Sequence, residues 1–311
     1  MQSRLVARAL GRRCLPPLFL NHWLASVLSV AQDYVGPYRL LNMIRAGKSC
    51  EVWEVMNDVK GQRLAMKLLA GENARNKEEI AFLKHEHQVG IGLDHPNVIK
   101  IYEYGADHGF VYLAMELFAT PNVKQWIHQG LEQLQPVVPG LIRKAAEGLA
   151  YFHEQGWIHR DVKPDNYLMK ADGEVKLIDF ALAVKKKGGL ARLFAGKTKV
   201  QGTRSYMSPE QIRGLPLDPR ADIYSFGCMI HELLGGKPPY TGTSTNDLLN
   251  KHLRSPIPPL QAANRNVRDE FAQLVRRTLA KKPEDRPESM AEFLREMRTM
   301  EVFKVPPAAV R

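Results

Sequence analysis

Hydrophobic and polar positions follow two different patterns along the chain. Between residues 38 and 116, short apolar runs alternate with polar turns, which predicts strands. One stretch, residues 76–90, has apolar residues at helical spacing instead and predicts a helix. The predicted strands are Tyr38–Arg45, Glu51–Met56, Arg63–Leu69, Val98–Tyr104 and Phe110–Glu116.

The pattern changes beyond residue 122, where residues 122–300 predict mainly helices. In one of them, Leu141, Ile142, Ala145, Leu149 and Phe152 recur at the spacing of a buried helical stripe. The sequence therefore predicts an α+β domain over residues 38–300. We expect a small β-rich N-lobe over residues 38–116 and a larger helical C-lobe over residues 117–300.

The two ends of the chain differ from this domain. Residues 1–33 carry arginines and then an apolar stretch, Leu15 to Val30, that is too short and too polar for a membrane span. We interpret them as a flexible extension and do not expect membrane association; a signal peptide cleaved after Ala31 is the alternative. Residues 301–311 predict a frayed tail.

Composition and charge narrow the class of protein. A hydrophobic fraction of 44% with 25% charged residues excludes a disordered chain or a rod. Three widely separated cysteines argue against a disulfide scaffold and favour a reducing, cytoplasmic location. The net charge of +11 resides in two acid-free segments, residues 1–31 and 180–209, and the remainder is neutral. Nucleic acid is therefore not an expected partner.

The strongest functional signal is the octapeptide His159-Arg160-Asp161-Val162-Lys163-Pro164-Asp165-Asn166. Five of its positions are specified residue types, a combination that arises by chance at roughly one site in three million. Further motifs surround it in a fixed order. They are Leu64-Ala65-Met66-Lys67, Asp179-Phe180, Gly202-Thr203 through Pro209-Glu210, and Asp222 through Gly227.

In the order and spacing of these motifs the chain resembles the protein kinase family of the Ser/Thr type over about residues 38–300. Tyr206 to Gln211 and Lys237 to Tyr240 are most similar to bacterial members. The resemblance implies a bilobal kinase fold. It also implies transfer of the γ-phosphoryl group of ATP to Ser or Thr hydroxyls of protein substrates, with Mg²⁺ (or Mn²⁺).

The resemblance assigns the charged site residues. Lys67 would hold the α- and β-phosphates, aimed by Glu86 on the following helix, with Glu78 and Glu79 as rival partners. Asp161 would accept the proton of the attacking hydroxyl, and Lys163 would reach the γ-phosphate. The metal ligands would be Asn166 and Asp179.

It also assigns residues around the nucleotide and in the framework. Met115 would be the gatekeeper before the Glu116 carbonyl and the Phe118 amide, which would face the adenine. The other nucleotide-binding positions would be Ile44, Gly47, Val52, Ala65 and Leu168. Structural roles would belong to His159, Asp222, and the pair Glu210 and Arg286.

Two motifs depart from the family pattern. In the glycine-rich loop only Gly47 remains, with Arg45 and Cys50 at the flanking glycine positions. Ala181 replaces the glycine that usually follows Asp179-Phe180, which should restrict a backbone flip. Neither change removes a charged group, so we favour an active enzyme, with a pseudokinase or nucleotide-gated scaffold as the alternative. Gly47-Lys48-Ser49 is not a P-loop, because Asn42 replaces the required glycine.

Regulation would involve the basic segment that follows Asp179. Arg160 would receive a phosphate from Thr198, with Ser205 as the other candidate, whereas Thr203 would face the substrate. Autophosphorylation through a transient dimer would supply that phosphate. A small-molecule kinase of related fold is disfavoured, because the segment from Gly202 to Glu210 resembles one that seats a peptide.

Overall fold

The computed structural model describes residues 34–47, 49–186 and 201–307. Within these ranges the chain divides into two compact units. The first comprises residues 34–92 and 100–119, and the second comprises residues 93–99 and 120–307. The predicted extension, residues 1–33, lies outside the described residues. So do residues 187–200, including Thr198, from the middle of the predicted basic segment at residues 180–209.

A six-stranded antiparallel sheet in the order β1-β2-β3-β4-β6-β5 forms most of the first unit. One helix, α1 (Lys77–Gly90), packs against β5 and β6. Asn76 caps its start by accepting a hydrogen bond from the Glu78 backbone N–H at 2.9 Å. The strands are β1 (Tyr34–Val35), β2 (Tyr38–Ala46), β3 (Glu51–Asn57), β4 (Gln62–Leu69), β5 (Ile101–Asp107) and β6 (Phe110–Met115).

Strand β4 places core residues on one face of the sheet and two predicted site residues on the other. Side chains alternate between the two faces of a strand. Leu64, Met66 and Leu68 belong to the hydrophobic core and are almost fully buried. Ala65 and Lys67 therefore point to the opposite face of the sheet.

The predicted fourth strand is displaced in the structure. Val98–Tyr104 was expected, whereas β5 spans Ile101–Asp107. Val98 and Ile99 are buried in the second unit, where the Ile99 N–H donates to the Leu177 carbonyl at 2.9 Å. A short apolar run cannot by itself distinguish a strand from a buried connecting segment.

The second unit is mainly helical, as the sequence predicts. Helix α4 buries the predicted stripe completely: Leu141, Ile142, Ala145, Leu149 and Phe152 are each 0% exposed. The helices are α2 (Val123–Gln129), α3 (Leu131–Leu134), α4 (Val138–Glu154), α5 (Pro209–Ile212), α6 (Arg220–Gly235), α7 (Thr245–Arg254), α8 (Leu260–Ala263), α9 (Asp269–Thr278) and α10 (Met290–Met297).

Four short strands complete the second unit and position its loops. They form two antiparallel pairs, β10 with β7 and β8 with β9. Helix α6 passes through the interior of the unit, and nearly all of its residues are buried. Polar side chains of α6 can therefore form buried hydrogen bonds to the loops that pack against it. The strands are β7 (Trp157–Ile158), β8 (Tyr167–Met169), β9 (Val175–Leu177) and β10 (Val184–Lys185).

Residues after α10 remain attached to the second unit. Val302 and Phe303 are buried, and Phe303 forms a β-bridge with Val267. The backbone N–H of Val305 donates to Asn266 Oδ1 at 2.9 Å. The first residues of the predicted tail are thus part of the packed domain. None of the helices within the described ranges has the length and apolar character needed to span a bilayer.

Candidate active site

The loop after β7 contains the octapeptide, and Asp222 of α6 binds the backbone of that loop. Asp222 is fully buried, and its carboxylate accepts the backbone N–H groups of His159 at 2.7 Å and Arg160 at 2.8 Å. His153 of α4 lies 2.9 Å from the same carboxylate. Because hydrogen bonds to a charged acceptor are strong, they fix the loop where the reactive side chains begin.

Arg160 adopts a conformation that ordinary residues avoid. Its φ angle is +69°, in the left-handed region. Its carbonyl accepts a hydrogen bond from Gln211 Nε2 at 2.9 Å. A Cβ on Gly202, where φ is +121°, would lie only 2.9 Å from that carbonyl oxygen, so this position requires glycine. Burial lowers the pKa of the Arg160 guanidinium.

The carboxylate of Asp161 is the centre of a hydrogen-bonded group. Its Oδ1 accepts the backbone N–H and the hydroxyl of Thr203, each at 2.8 Å. Its Oδ2 accepts Lys163 Nζ at 2.6 Å and Asn166 Nδ2 at 3.2 Å. The Lys163 ammonium also donates to Thr203 Oγ1 at 2.7 Å. The structure thus brings four predicted site residues of the second unit into direct contact.

Two oxygen-bearing side chains lie at the same end of the β8–β9 hairpin. Tyr167 pairs with Leu177, so Asn166 and Ile178 are adjacent, and the Ile178 N–H donates to the Asn166 carbonyl at 2.9 Å. Asp179 follows directly. Asn166 Nδ2 donates to the Asp161 carbonyl at 2.8 Å, which turns its amide oxygen the other way. The amide group of Asn166 and the carboxylate of Asp179 therefore lie near each other.

Backbone strain in this region falls on Asp179 and not on Ala181. The φ angle of Asp179 is +68°, whereas Ala181 is absent from the left-handed region. This conformation therefore does not require glycine at position 181. Phe180 is fully buried, with its ring centroid 5.2 Å from that of Phe152 and 6.0 Å from that of His159. This aromatic packing positions the strained aspartate.

In the first unit, Lys67 of β4 meets Glu86 of α1. Its Nζ lies 2.6 Å from Oε1 and 2.8 Å from Oε2 of Glu86. The Glu86 side chain is only 2% exposed, and that of Lys67 is 14% exposed. Of the two rival partners in the first turn of the same helix, Glu78 is exposed and Glu79 is half-buried. The structure thus selects Glu86 from the three candidates.

Three predicted nucleotide residues of the first unit, Val52, Ala65 and Met115, share a sheet face with Lys67. Cross-strand pairs join Val52 to Lys67 and Ala65 to Met115, and directly opposed residues point to the same side. Ile44 is the extra residue of a β-bulge and is 42% exposed. Ala65, Met115 and Phe118 are buried, whereas Glu116 and, in the second unit, Leu168 are half-buried.

Gly47, the one glycine that remains in the loop between β2 and β3, is required there for a steric reason. The Gly47 N–H donates to the Cys50 carbonyl at 2.9 Å. A Cβ on Gly47 would lie 2.6 Å from that carbonyl oxygen. Arg45 and Cys50 show no positive φ angle. The hairpin therefore forms with side chains at the two flanking positions but depends on glycine at position 47.

A buried ion pair holds the segment after Thr203 to the helical framework. Arg286 Nη1 and Nη2 lie 2.6 and 2.9 Å from the two carboxylate oxygens of Glu210. Arg286 also donates to the backbone carbonyls of Arg220 and Ala280, each at 2.8 Å. Its guanidinium carbon lies 5.0 Å from the centroid of the Tyr224 ring.

Sequence reasoning missed Gln211 and His153, which support the loop from outside the octapeptide. Gln211 had a detectable signal, because Ser208 and Gln211 have the spacing of a capping box at the start of α5. His153 had none, since its contact with Asp222 joins residues 69 positions apart.

The chain belongs to the protein kinase family. The protein kinase domain family matches residues 38–297, which includes every predicted site residue. The bilobal α+β kinase fold that the sequence implies is confirmed.

Curated relatives are named bacterial serine/threonine kinases. Similar proteins include a probable serine/threonine-protein kinase of Clostridium acetobutylicum, 30% identical over 84% of this chain. Others are PknH of Mycobacterium bovis, 34% identical over 83%, and PknB of Mycobacterium leprae, 32% identical over 82%. The matches cover 39%, 44% and 42% of these relatives' own lengths. The chain therefore spans less than half of the proteins it resembles.

Proposed function

We propose that this protein transfers the γ-phosphoryl group of ATP to Ser or Thr hydroxyls of protein substrates. The observation that carries the proposal is the contact group around Asp161, in which Thr203 and Lys163 hold the carboxylate. A general base must be held within hydrogen-bond reach of the proton it accepts. A carboxylate fixed at both oxygens is suited to orienting an incoming hydroxyl.

Each charged side chain has a role in the proposed reaction. Asp161 accepts the proton as the substrate oxygen bonds to the γ-phosphorus and the bond to the ADP oxygen breaks. Lys163 stabilises the negative charge on the transferring group. Lys67, aimed by Glu86, holds the α- and β-phosphates. The groups position ATP and neutralise its charge, which is the main requirement of phosphoryl transfer.

The oxygen donors fit a divalent metal ion. Mg²⁺ prefers oxygen ligands and usually keeps substrate phosphates in its coordination shell. The amide oxygen of Asn166 and the carboxylate of Asp179 are such ligands. Within the described ranges there is no group of three His, Cys, Asp or Glu side chains suited to a metal. Phosphate oxygens of the nucleotide would complete the shell, and the bound cation would neutralise charge on them.

The alternative of a pseudokinase or nucleotide-gated scaffold depends on the altered glycine loop. Gly47, the residue whose Cβ would clash, is present. The charged groups Lys67, Glu86, Asp161 and Asp179 are also present. An active enzyme is therefore the better-supported function.

Regulation by autophosphorylation is part of the proposal. Arg160 is largely buried, and its Nη1 lies 3.5 Å from the Leu182 carbonyl in the segment that leads to Thr198. A phosphate on Thr198 would offer this guanidinium a charged acceptor. We propose a transient dimer as the source of that phosphate, and a cytoplasmic location for the domain.

Transfer of radiolabelled phosphate tests the function. Wild type, Asp161→Asn and Asp172→Asn, an exposed turn aspartate, are incubated with labelled ATP, Mg²⁺ and a Ser-containing protein. We expect Asp161→Asn to lose about 10²–10⁴-fold in rate and Asp172→Asn to match wild type. Nucleotide binding without transfer by any of the three would establish the scaffold instead, and full activity of Asp161→Asn would refute the role of Asp161.

A further inference from the structure

Glu232 of α6 is a buried carboxylate that the proposed reaction does not use. Its side chain is 1% exposed. Its Oε2 accepts the Tyr206 hydroxyl at 2.5 Å, and its Oε1 forms an ion pair with Lys124 Nζ. Burial, and next the field of Glu232, raises the pKa of the Tyr206 hydroxyl, which remains a donor. Lys124 thus supplies the neutralising cation that a buried carboxylate needs.

Lys124 is held in place but still reachable from solvent. It is the second residue of α2, which begins with a capping box formed by Asn122 and Gln125. Trp126 of the same helix donates to the Met169 carbonyl at 2.9 Å. The Lys124 side chain is 30% exposed, in contrast to the buried Glu232. A bound peptide could therefore approach the ion pair from the Lys124 side.

Tyr206, the hydroxyl donor to Glu232, is close in the chain to the proposed catalytic group. Tyr206 ends the short 3₁₀ turn Arg204–Tyr206, which directly follows Thr203, and Thr203 contacts Asp161. Three residues span at most about 10 Å of backbone. An extended peptide advances about 3.3 Å per residue. Substrate residues within a few positions of the phosphorylated hydroxyl can therefore reach the surroundings of Tyr206.

The charges around Tyr206 would otherwise attract a basic side chain. Asp165, like Glu232, acts on the Tyr206 hydroxyl as a negative charge. Two carboxylates near a peptide-binding segment favour an arginine or lysine of the substrate. Lys124 already occupies the cation position on Glu232. An incoming basic side chain would meet the Lys124 ammonium and be repelled.

We propose that Lys124 is a specificity-determining residue that directs the enzyme away from substrates with Arg or Lys near the phosphorylated residue. The substrate class is peptides with neutral or acidic residues at those positions. This proposal rests on the proposed kinase function and specifies its substrates.

The test is a set of Ser peptides in a neutral background, each carrying one Arg at a different position. The measured quantity is the ratio of kcat/KM for the Arg peptide to that for the neutral peptide. For wild type we expect a ratio of one or below at every position. For Lys124→Met we expect a rise of at least about tenfold at one or two positions, because Glu232 then accepts the Arg. In Lys124→Met/Glu232→Gln the ratio should return to the wild-type value.

Lys170→Met is the matched control, since Lys170 forms an exposed ion pair with Glu174 at 2.5 Å; its ratios should equal those of wild type. Ratios for Lys124→Met within twofold of wild type at all positions would overturn the proposal. If Lys124→Met does not unfold cooperatively, the same ratios are measured on Lys124→Gln, which keeps a hydrogen-bond donor for Glu232. The Lys124→Gln ratios then decide whether the proposal stands.

Failure of the proposed function is distinguished by a binding measurement. The same peptides carry a fluorophore, and their Kd values for wild type and Lys124→Met are measured by anisotropy. If wild type transfers no phosphate to any peptide, the kinase proposal fails. A selective gain in Arg-peptide affinity in Lys124→Met would still support the role of Lys124, and equal affinities would refute it.

Discussion

The guanidinium of Arg286 and the carboxylate of Glu210 meet in parallel, with two N–O distances of 2.6 and 2.9 Å. The Arg286 side chain is 0% exposed and the Glu210 side chain 7% exposed. The pair joins the end of the segment from Gly202 to Glu210 to the loop between α9 and α10. Loss of one partner leaves the other charge buried and unpaired.

Arg286→Ala should therefore destabilise the domain by about 3–5 kcal/mol. Urea unfolding followed by circular dichroism measures the free energy. Arg277→Ala is the control, because Arg277 pairs with Glu292 and Glu296 at the surface, where an ion pair contributes about 0–1 kcal/mol. Equal destabilisation by the two variants would contradict this account.

Glu86→Gln should reduce kcat/KM for ATP about 10- to 100-fold. The amide keeps the size of the side chain but not the charge that aims Lys67, and small misplacements at a reacting centre cost up to about 10²-fold. Initial rates at varied ATP concentration measure the effect. Glu78→Gln, at an exposed position in the first turn of the same helix, should behave as wild type. If the two variants have the same kcat/KM, the ion pair does not position Lys67 for catalysis.

Thr203→Val should lower kcat about 10- to 100-fold, whereas Thr203→Ser should retain most of it. Valine removes the hydroxyl that bonds to Asp161 and Lys163 but keeps the backbone N–H that also binds Asp161. Serine keeps both groups. The measurement is the steady-state rate at saturating ATP and peptide. A serine variant as slow as the valine variant would show that the hydroxyl alone does not account for the role of Thr203.

Acid should destabilise the domain through His252. His252 is a fully buried residue of α7, and its Nδ1 is hydrogen-bonded to the Tyr224 hydroxyl at 3.0 Å. Burial, and next the positive charge of Lys281, lowers the pKa of His252 to about 4. The unfolded state, with a pKa near 6.5, binds the proton first as the pH falls. Stability from this group is thus present above pH 6.5 and declines between pH 6.5 and 4, by about 3 kcal/mol.

Urea unfolding at several pH values measures that dependence. His252→Gln should flatten the curve of unfolding free energy between pH 6.5 and 4 relative to wild type. His128→Gln, at an exposed position of α2, should leave the curve unchanged. A His252→Gln curve parallel to that of wild type would assign the acid sensitivity to other groups.

Sequence patterns predicted the elements and the reactive residues because both signals are local. Residues of the octapeptide are close in the chain, and a short strand-like run bounded by turns predicted β4 to within one residue. Strand β5 was displaced because Val98 and Ile99 are apolar for a different reason: they are buried in the second unit. Only backbone pairing separates these two causes.

The long-range contacts were not predictable from spacing. Lys124 and Glu232 are 108 residues apart, and nothing local joins a surface lysine to an acid within an apolar helix. The requirement for glycine at position 47 is likewise steric, since it depends on where the Cys50 carbonyl lies. Such features need coordinates because the interacting groups come together only in the folded chain.

The burial of Val302 and Phe303 determines where the folded domain can be shortened. A protein ending at residue 297, where the family match stops, would lose the bridge from Phe303 to Val267 and expose the apolar surface beneath it. Such a truncation would be prone to aggregation, and its poor behaviour could be mistaken for an inactive enzyme. Truncated forms should therefore retain the chain through at least residue 305, whose backbone is held by Asn266.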